Sequence, residues 1–131
     1  MDHKKMIAIG IGCRRGTRKE VIMLLIRDTL ARESFTGHHA VLFTYDGKKD
    51  EPGLIAAAAA LNLPLRFLTI EDLRAVADQI TVHSEVARNA LGLPSVAEAA
   101  ALAGAGKGAR LLVPRIKGEG VTCAIAEGEG R

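Results

Sequence analysis

Residues 6–18 read Met6-Ile7-Ala8-Ile9-Gly10-Ile11-Gly12-Cys13-Arg14-Arg15-Gly16-Thr17-Arg18. Met6–Gly12 is apolar, rich in isoleucine and interrupted only by Gly10 and Gly12, the pattern of a buried strand. Thr17 followed by Glu20 has the spacing of a capping box, which predicts a helix from about Arg18 to Arg32. The stretch therefore runs from a buried strand through a glycine- and arginine-rich loop into a helix, the opening of an α/β unit.

The same alternation continues down the chain. Ala40–Tyr45 is a second strand, turned by Asp46-Gly47. Glu51-Pro52 opens an alanine-rich helix, with Pro52 at a first-turn position where its missing N–H costs nothing. Pro64 closes the next connection before a short third strand, Leu65–Thr69, and Thr69 can cap a helix over about Glu71–Asp78. Ser84–Leu91 reads as a further short helix stopped by Gly92. Ser95 and Glu98 have capping-box spacing ahead of a helix over Val96–Ala103, which Gly104, Gly106 and Gly108 end in a flexible turn. Leu111–Pro114 and Val121–Glu127 are two last strands around a Lys117-Gly118-Glu119-Gly120 hairpin turn. Glycine and charge make up the tail Glu127–Arg131, which predicts fraying. The order β-α-β-α-β-α-α-α-β-β predicts helices on both faces of a mixed, mainly parallel sheet of about five strands. No shift of period or composition divides residues 1–131, so one domain is expected. Ligands of such sheets bind beyond the carboxyl ends of the strands.

Composition narrows the function classes. Of 131 residues, 48% are hydrophobic and 25% charged, the balance of a globular protein that buries a core without disulfides. No apolar run approaches the roughly 20 residues that span a bilayer, and the N-terminus carries no signal-peptide cleavage pattern, so a cytoplasmic protein with no membrane partner is expected. A net charge of +3 is small for a duplex-binding protein, and four aromatic residues are few for stacking single strands, so no nucleic-acid partner is expected. Cys13 and Cys123 have no metal spacing and read as free thiols. His3, His38, His39 and His83 do not assemble into ligand spacing, so neither a metal nor a cofactor is expected.

Two constellations fall at strand carboxyl ends. The first, Gly10–Arg18, combines glycines that admit close backbone approach, the free N–H groups of a helix's first turn, and forked guanidinium donors. It suits an acidic small molecule, and equally reads as a tight turn with solvated arginines. Gly10, Gly12 and Gly16 also form a loose dinucleotide pattern, but the acidic residue that should follow about 20 positions on is missing from that spacing. A nucleotide-binding domain is the alternative of another class. The second constellation is Asp46-Gly47-Lys48-Lys49-Asp50-Glu51-Pro52-Gly53-Leu54. In a parallel sheet it shares an edge with the first, and Lys48 can pair with an acidic ligand. A charged turn with a helix cap is its simpler reading. Cys13 is the one thiol that a helix N-terminus and neighbouring arginines could activate, but no histidine stands near it in sequence, so nucleophilic catalysis by it is not expected.

Four blocks resemble the cobalamin-biosynthesis family formed by CobE and the C-terminal domain of CbiG. They are Ile9–Thr17, Asp46–Leu54, Gly92–Leu102 (Gly-Leu-Pro-Ser-Val-Ala-Glu-Ala-Ala-Ala-Leu) and Thr122–Ala126 (Thr-Cys-Ala-Ile-Ala). Their order and spacing run along the whole chain, which is similar to the free-standing CobE form. The resemblance implies a three-layer α/β/α sandwich, a role in corrin-ring synthesis and a precorrin-type tetrapyrrole as ligand, with other cobalamin-pathway enzymes as partners. Taken with the two loops, it leaves Gly12, Cys13, Arg14, Arg15, Gly16, Thr17, Lys48, Glu51 and Ser95 as candidate ligand-binding residues. CbiG proteins open a precorrin lactone and release a two-carbon fragment. If this chain does the same, Glu51 or Glu98 is the candidate general base. Arg115 stands where the family pattern leads one to expect lysine. A precorrin is fringed with carboxylates, so the resemblance and the two basic loops point to one chemistry: binding a polyanionic macrocycle for processing or handover.

Overall fold

The structure is a computed structural model, and it describes residues 5–33, 39–82 and 91–131. The elements are β1 (Met6–Cys13), α1 (Lys19–Leu30), β2 (His39–Tyr45), α2 (Pro52–Leu61), β3 (Leu65–Leu68), α3 (Ile70–Arg74), α4 (Val96–Ala105), β4 (Arg110–Lys117) and β5 (Val121–Gly128). Single 3-10 turns follow β2, at Asp46–Lys48, and α3, at Ala77–Gln79. The five strands form one sheet in the order β3-β2-β1-β5-β4. β1, β2 and β3 are parallel, β5 runs antiparallel to β1, and β4 antiparallel to β5. The sheet is mixed, as the sequence pattern implies.

β1 is central and buried on both faces, hence its unbroken apolar sequence. Ile7, Ile9 and Ile11 turn to one side, where they pack with Ile22, Leu25 and Ile26 of α1 and Leu54, Ala57 and Ala58 of α2. Ala8 turns to the other side, with Val41, Phe43, Leu73 and the alanines of α4. All residues of α4 from Ala97 to Ala105 are buried. A helix apolar on every side belongs inside a protein, and this one has almost no side chain to keep it off the sheet. A Cβ on Gly10 would collide with the Ala97 carbonyl oxygen and the Ala101 nitrogen, and one on Gly128 with the Ala105 carbonyl. Gly104 lies against the Phe43 ring, which takes the space a side chain would fill. Gly104 thus sits inside α4, and the helix ends later, at Gly106, whose φ of +77° suits glycine.

Four further local expectations need correction. The tail does not fray: Gly130 N donates to Ala105 O at 2.7 Å, Glu129 N to Lys107 O at 2.9 Å, and the Arg131 guanidinium donates to Ala103 O and to Asp72. Thr17 and Glu20 form no capping box: α1 starts one residue late, its N-cap is Arg18, and no side chain caps it. The Thr17 hydroxyl instead donates to the carbonyls of Arg14 (2.7 Å) and Gly120 (3.1 Å). β4 does not stop at Pro114 but runs to Lys117, with its register shifted between Leu111 and Val113 and between Val113 and Ile116. It is an edge strand, where a proline without N–H breaks no interior ladder. The helix expected to reach Asp78 ends at Arg74. Its cap is as expected, with Thr69 and Asp72 bonded reciprocally. The helix expected over Ser84–Leu91 lies outside the described residues but for Leu91, which is in a turn. Among the described residues no helix is long and apolar enough to cross a membrane.

The close seating of α4 on β1 gives a direct stability prediction. Gly10→Ala drives a methyl into backbone atoms that cannot swing away. It is expected to cost about 3 kcal/mol, the upper end for overpacking. Denaturant unfolding of wild type and variant, compared at the same slope, measures it.

Candidate functional site

Four chain segments meet at the carboxyl edge of the parallel strands. The loop after β1 and the loop after β2 leave that edge directly. The β4–β5 turn reaches it because Val121 pairs with Cys13. α4 begins there too, since a Cβ on Gly12 would lie 3.5 Å from Val96 Cβ.

The loop after β1 is tied from two sides. Arg14 N donates to Gly120 O at 2.8 Å, and Thr17 joins both. On the other side Gly16 N donates to Glu51 Oε2 at 2.8 Å. Gly16 has φ +82°, with nothing within 4 Å of where a Cβ would be. Glycine is needed there for backbone conformation rather than for room. Glu51 is the N-cap residue of α2 but does not cap it. Its carboxylate, in a residue only 6% exposed, reaches across to the neighbouring loop. Gly53 brings the two helix starts together, because a Cβ there would strike the Thr17 carbonyl oxygen.

Between the two loops is a cleft of about 470 Å³ lined by Arg15, Gly16, Gly47, Lys48, Asp50, Glu51 and Pro52. The Arg15 side chain is exposed and Lys48 is half-buried. Two cations and two carboxylates face this space, one carboxylate being already engaged with Gly16. The arrangement can hold an anionic group between guanidinium and ammonium.

Glu98, in the first turn of α4, is fully buried. Its oxygens accept from Thr81 N (2.7 Å), from Thr81 Oγ1 (3.1 and 3.0 Å) and from Arg115 N (2.9 Å). Glu98 N donates to Ser95 Oγ at 3.1 Å. Ser95 therefore caps α4, a contribution of about 1 kcal/mol. The expected reciprocal arm is not made, because the Glu98 carboxylate turns to Thr81 and the β4 backbone.

Residues 7–126 match the family described as Cobalamin synthesis G C-terminus. This chain belongs to that family. It is 33% identical over 121 residues to Protein CobE of Sinorhizobium sp, covering 92% of this chain and 79% of that protein. The crystal structure of CobE, described as a protein from the cobalamin (vitamin B12) biosynthetic pathway, superposes with TM-score 0.84 at 35% identity, over 94% of this chain and 90% of that one. The chain is also 32% identical over 123 residues to cobalt-precorrin-5A hydrolase of Priestia megaterium, covering 93% of this chain but 32% of the hydrolase. It thus spans about a third of that relative's length. It is a cobalamin-biosynthesis protein with the α/β fold of its relatives.

Of the residues singled out in the sequence of this family member, Arg15, Gly16, Lys48 and Glu51 meet in the cleft. The others do not line it. Gly12 lies under α4 beside Thr122, Ser95 is buried in its cap, and Thr17 is spent on the turn. The Arg14 side chain is exposed beside Gly120. Sequence reading passed over Gly53 as a contact, Asp50 as a lining residue, and Thr81 and Gly120 as anchors. Gly53 and Asp50 stood inside a quoted block, but nothing local marks Thr81 or Gly120. His39 begins β2, while His3, His38 and His83 lie outside the described residues. Among the described residues no cluster of three or more His, Cys, Asp or Glu is placed to hold a metal.

Cys13 is not activated by its setting. Burial raises its thiol pKa above the usual value, and Glu51 adds to the rise, while Lys48 opposes it. The arginines project into solvent and do not activate it. Cys123, in the core of β5, is pushed up to about 12 by burial, opposed by a hydrogen bond with Thr29. Raised thiol pKa values leave less thiolate at neutral pH. Iodoacetamide at pH 7.5 is therefore expected to modify both cysteines of the native protein more slowly than free cysteine, Cys123 slowest, with rates converging after denaturation. Mass spectrometry of time points checks this.

Proposed function

We propose that the protein binds a corrin-ring intermediate through its peripheral carboxylates and assists its processing or handover to another enzyme of the pathway. The observation that carries this reading is the convergence of Arg15 and Lys48 on one cleft, at a sheet edge where two helices start. Arg14 stands beside the cleft and adds to the positive field. A precorrin presents an apolar macrocycle with acetate and propionate groups, so its rim carries the charge that such a cleft attracts. Membership of a cobalamin-biosynthesis family supplies the macrocycle class; the cations supply the contact.

A second reading is hydrolysis of a precorrin, for which the Priestia megaterium relative is named a cobalt-precorrin-5A hydrolase, with a ring lactone as the bond that the family resemblance implies. Glu51 favours it as the candidate carboxylate facing the cleft, whereas Glu98 has both oxygens taken by Thr81 and Arg115. Release of the two-carbon fragment from a lactone substrate distinguishes turnover from binding alone.

Charge-assisted hydrogen bonds are worth about 1.5–3 kcal/mol when partly shielded. Arg15→Ala and Lys48→Ala are each expected to weaken binding of a polycarboxylic corrinoid by roughly ten-fold to a hundred-fold. Arg14→Ala should weaken it less, and Arg15→Lys should recover only part of the loss, since lysine keeps the charge without the fork. Affinity should fall as salt rises. Lys19→Ala, on α1 beyond the loop, should match wild type. An absorbance titration of the five folded proteins against wild type decides. Equal affinity throughout would reject the cleft as the binding site.

A further inference from the structure

We propose that Glu51 is a positioning residue, which aims Arg15 by holding the Gly16 amide, and that its negative charge lowers the cleft's affinity for anions. The inference rests on the carboxylate-binding reading of the cleft and adds the part that Glu51 plays in it.

A carboxylate at a helix N-cap ordinarily bonds back to the helix's own first-turn N–H groups. Glu51 makes no such bond. It is only 6% exposed, and it spends Oε2 on an amide 35 residues away in sequence. That amide is the one immediately after Arg15. Arg14 and Thr17, on either side, are tied to Gly120 and to each other, with Thr17 N donating to Arg14 O at 3.2 Å, so the bond to Glu51 is the one that holds the peptide between Arg15 and Gly16 at the tip of the turn. Gly16 itself, at φ +82° with open space around it, has no side chain with which to fix the turn. Without Glu51 the turn stays closed between Arg14 and Thr17, but its central peptide loses the bond that sets its orientation, and Arg15 gains freedom relative to Lys48.

The bond needs an acceptor oxygen but not a charge. A glutamine carbonyl can accept from Gly16 N as the carboxylate does, while removing a negative charge that faces Arg15 and Lys48 across the cleft. The hydrogen bond and the charge therefore act on anion affinity in opposite directions, and substitution separates them. Glu51→Gln keeps the tether and loses the opposing charge. Glu51→Ala loses both.

The experiment has two arms on wild type, Glu51→Gln and Glu51→Ala. In the first, amide hydrogen exchange is read at Gly16 by NMR without ligand, with Ile9 in β1 as the reference for global opening. Gly16 exchange is expected to accelerate roughly ten-fold to a hundred-fold in Glu51→Ala, as for loss of a shielded bond to a charged acceptor, and to change little in Glu51→Gln. Unchanged exchange at Gly16 in Glu51→Ala, or equal acceleration at Gly16 and Ile9, would overturn the positioning role. In the second arm a polycarboxylic corrinoid is titrated, with its methyl ester as the uncharged comparison. The expected order of affinity for the acid is Glu51→Gln, then wild type, then Glu51→Ala, with Gln and wild type alike for the ester. Equal affinity of the Gln and Ala variants for the acid would reduce Glu51 to a charge and overturn the proposal. The first arm contains no ligand. Failure of the carboxylate reading itself shows separately, as unchanged binding in Arg15→Ala.

Discussion

The structure depends on a helix lying on a strand with no side chain between them. α4 approaches β1 where Gly10 leaves the Ala97 carbonyl and the Ala101 nitrogen uncovered, and approaches β5 where Gly128 meets Ala105. Dispersion between close backbones replaces the usual interdigitated side chains, and the contact tolerates no added methyl. The consequence is positional. With α4 this near the sheet, its first turn comes level with Gly12, and Ser95 and Glu98 arrive beneath the carboxyl edge. Glu98, buried and unable to stay unpaired at acceptable cost, takes partners from Thr81 and from the β4 backbone at Arg115. The β4–β5 turn, carried by the same pair of strands, then supplies Gly120 to the loop after β1.

That loop shows how a flexible composition becomes a fixed surface. Arg14-Arg15-Gly16-Thr17-Arg18 would make a mobile turn in isolation. Here its backbone groups are claimed by Gly120, Thr17 and Glu51, so it costs the guanidiniums little further ordering to meet a ligand. Cations are held outward while the thiol at the strand end is covered. Burial, rather than the neighbouring positive charge, dominates the chemistry of Cys13.

Much of this was legible in the residues. The apolar β1 with its two glycines, the Pro52 helix start and the Thr69 cap each rest on short-range physics, and each element begins where it was expected, although the Thr69 helix ends early, at Arg74. The meeting of the arginine loop with Lys48 followed from parallel strands alone. What could not be read were bonds between distant segments. Thr17 has the spacing of a cap, yet the hairpin turn offered a carbonyl that sequence distance conceals, and the hydroxyl went there. Ser95 and Glu98 look symmetrical as a capping box, but a buried carboxylate follows the partners that tertiary packing supplies. Pro114 marked a strand end only because nothing local reveals that β4 is an edge. Gly104 read as a helix stop because the Phe43 ring that fills its place is on another strand.

The central claim is that the ligand-facing surface is the cleft between the loops after β1 and β2. The most direct test is chemical-shift mapping of the labelled protein during addition of a polycarboxylic corrinoid. The account predicts that the largest amide shifts fall on Arg15, Gly16, Lys48 and Glu51, with the outer faces of α1 and α2 unmoved. Shifts centred on those outer faces, or on the opposite end of the sheet around Met6 and Gly128, would contradict it.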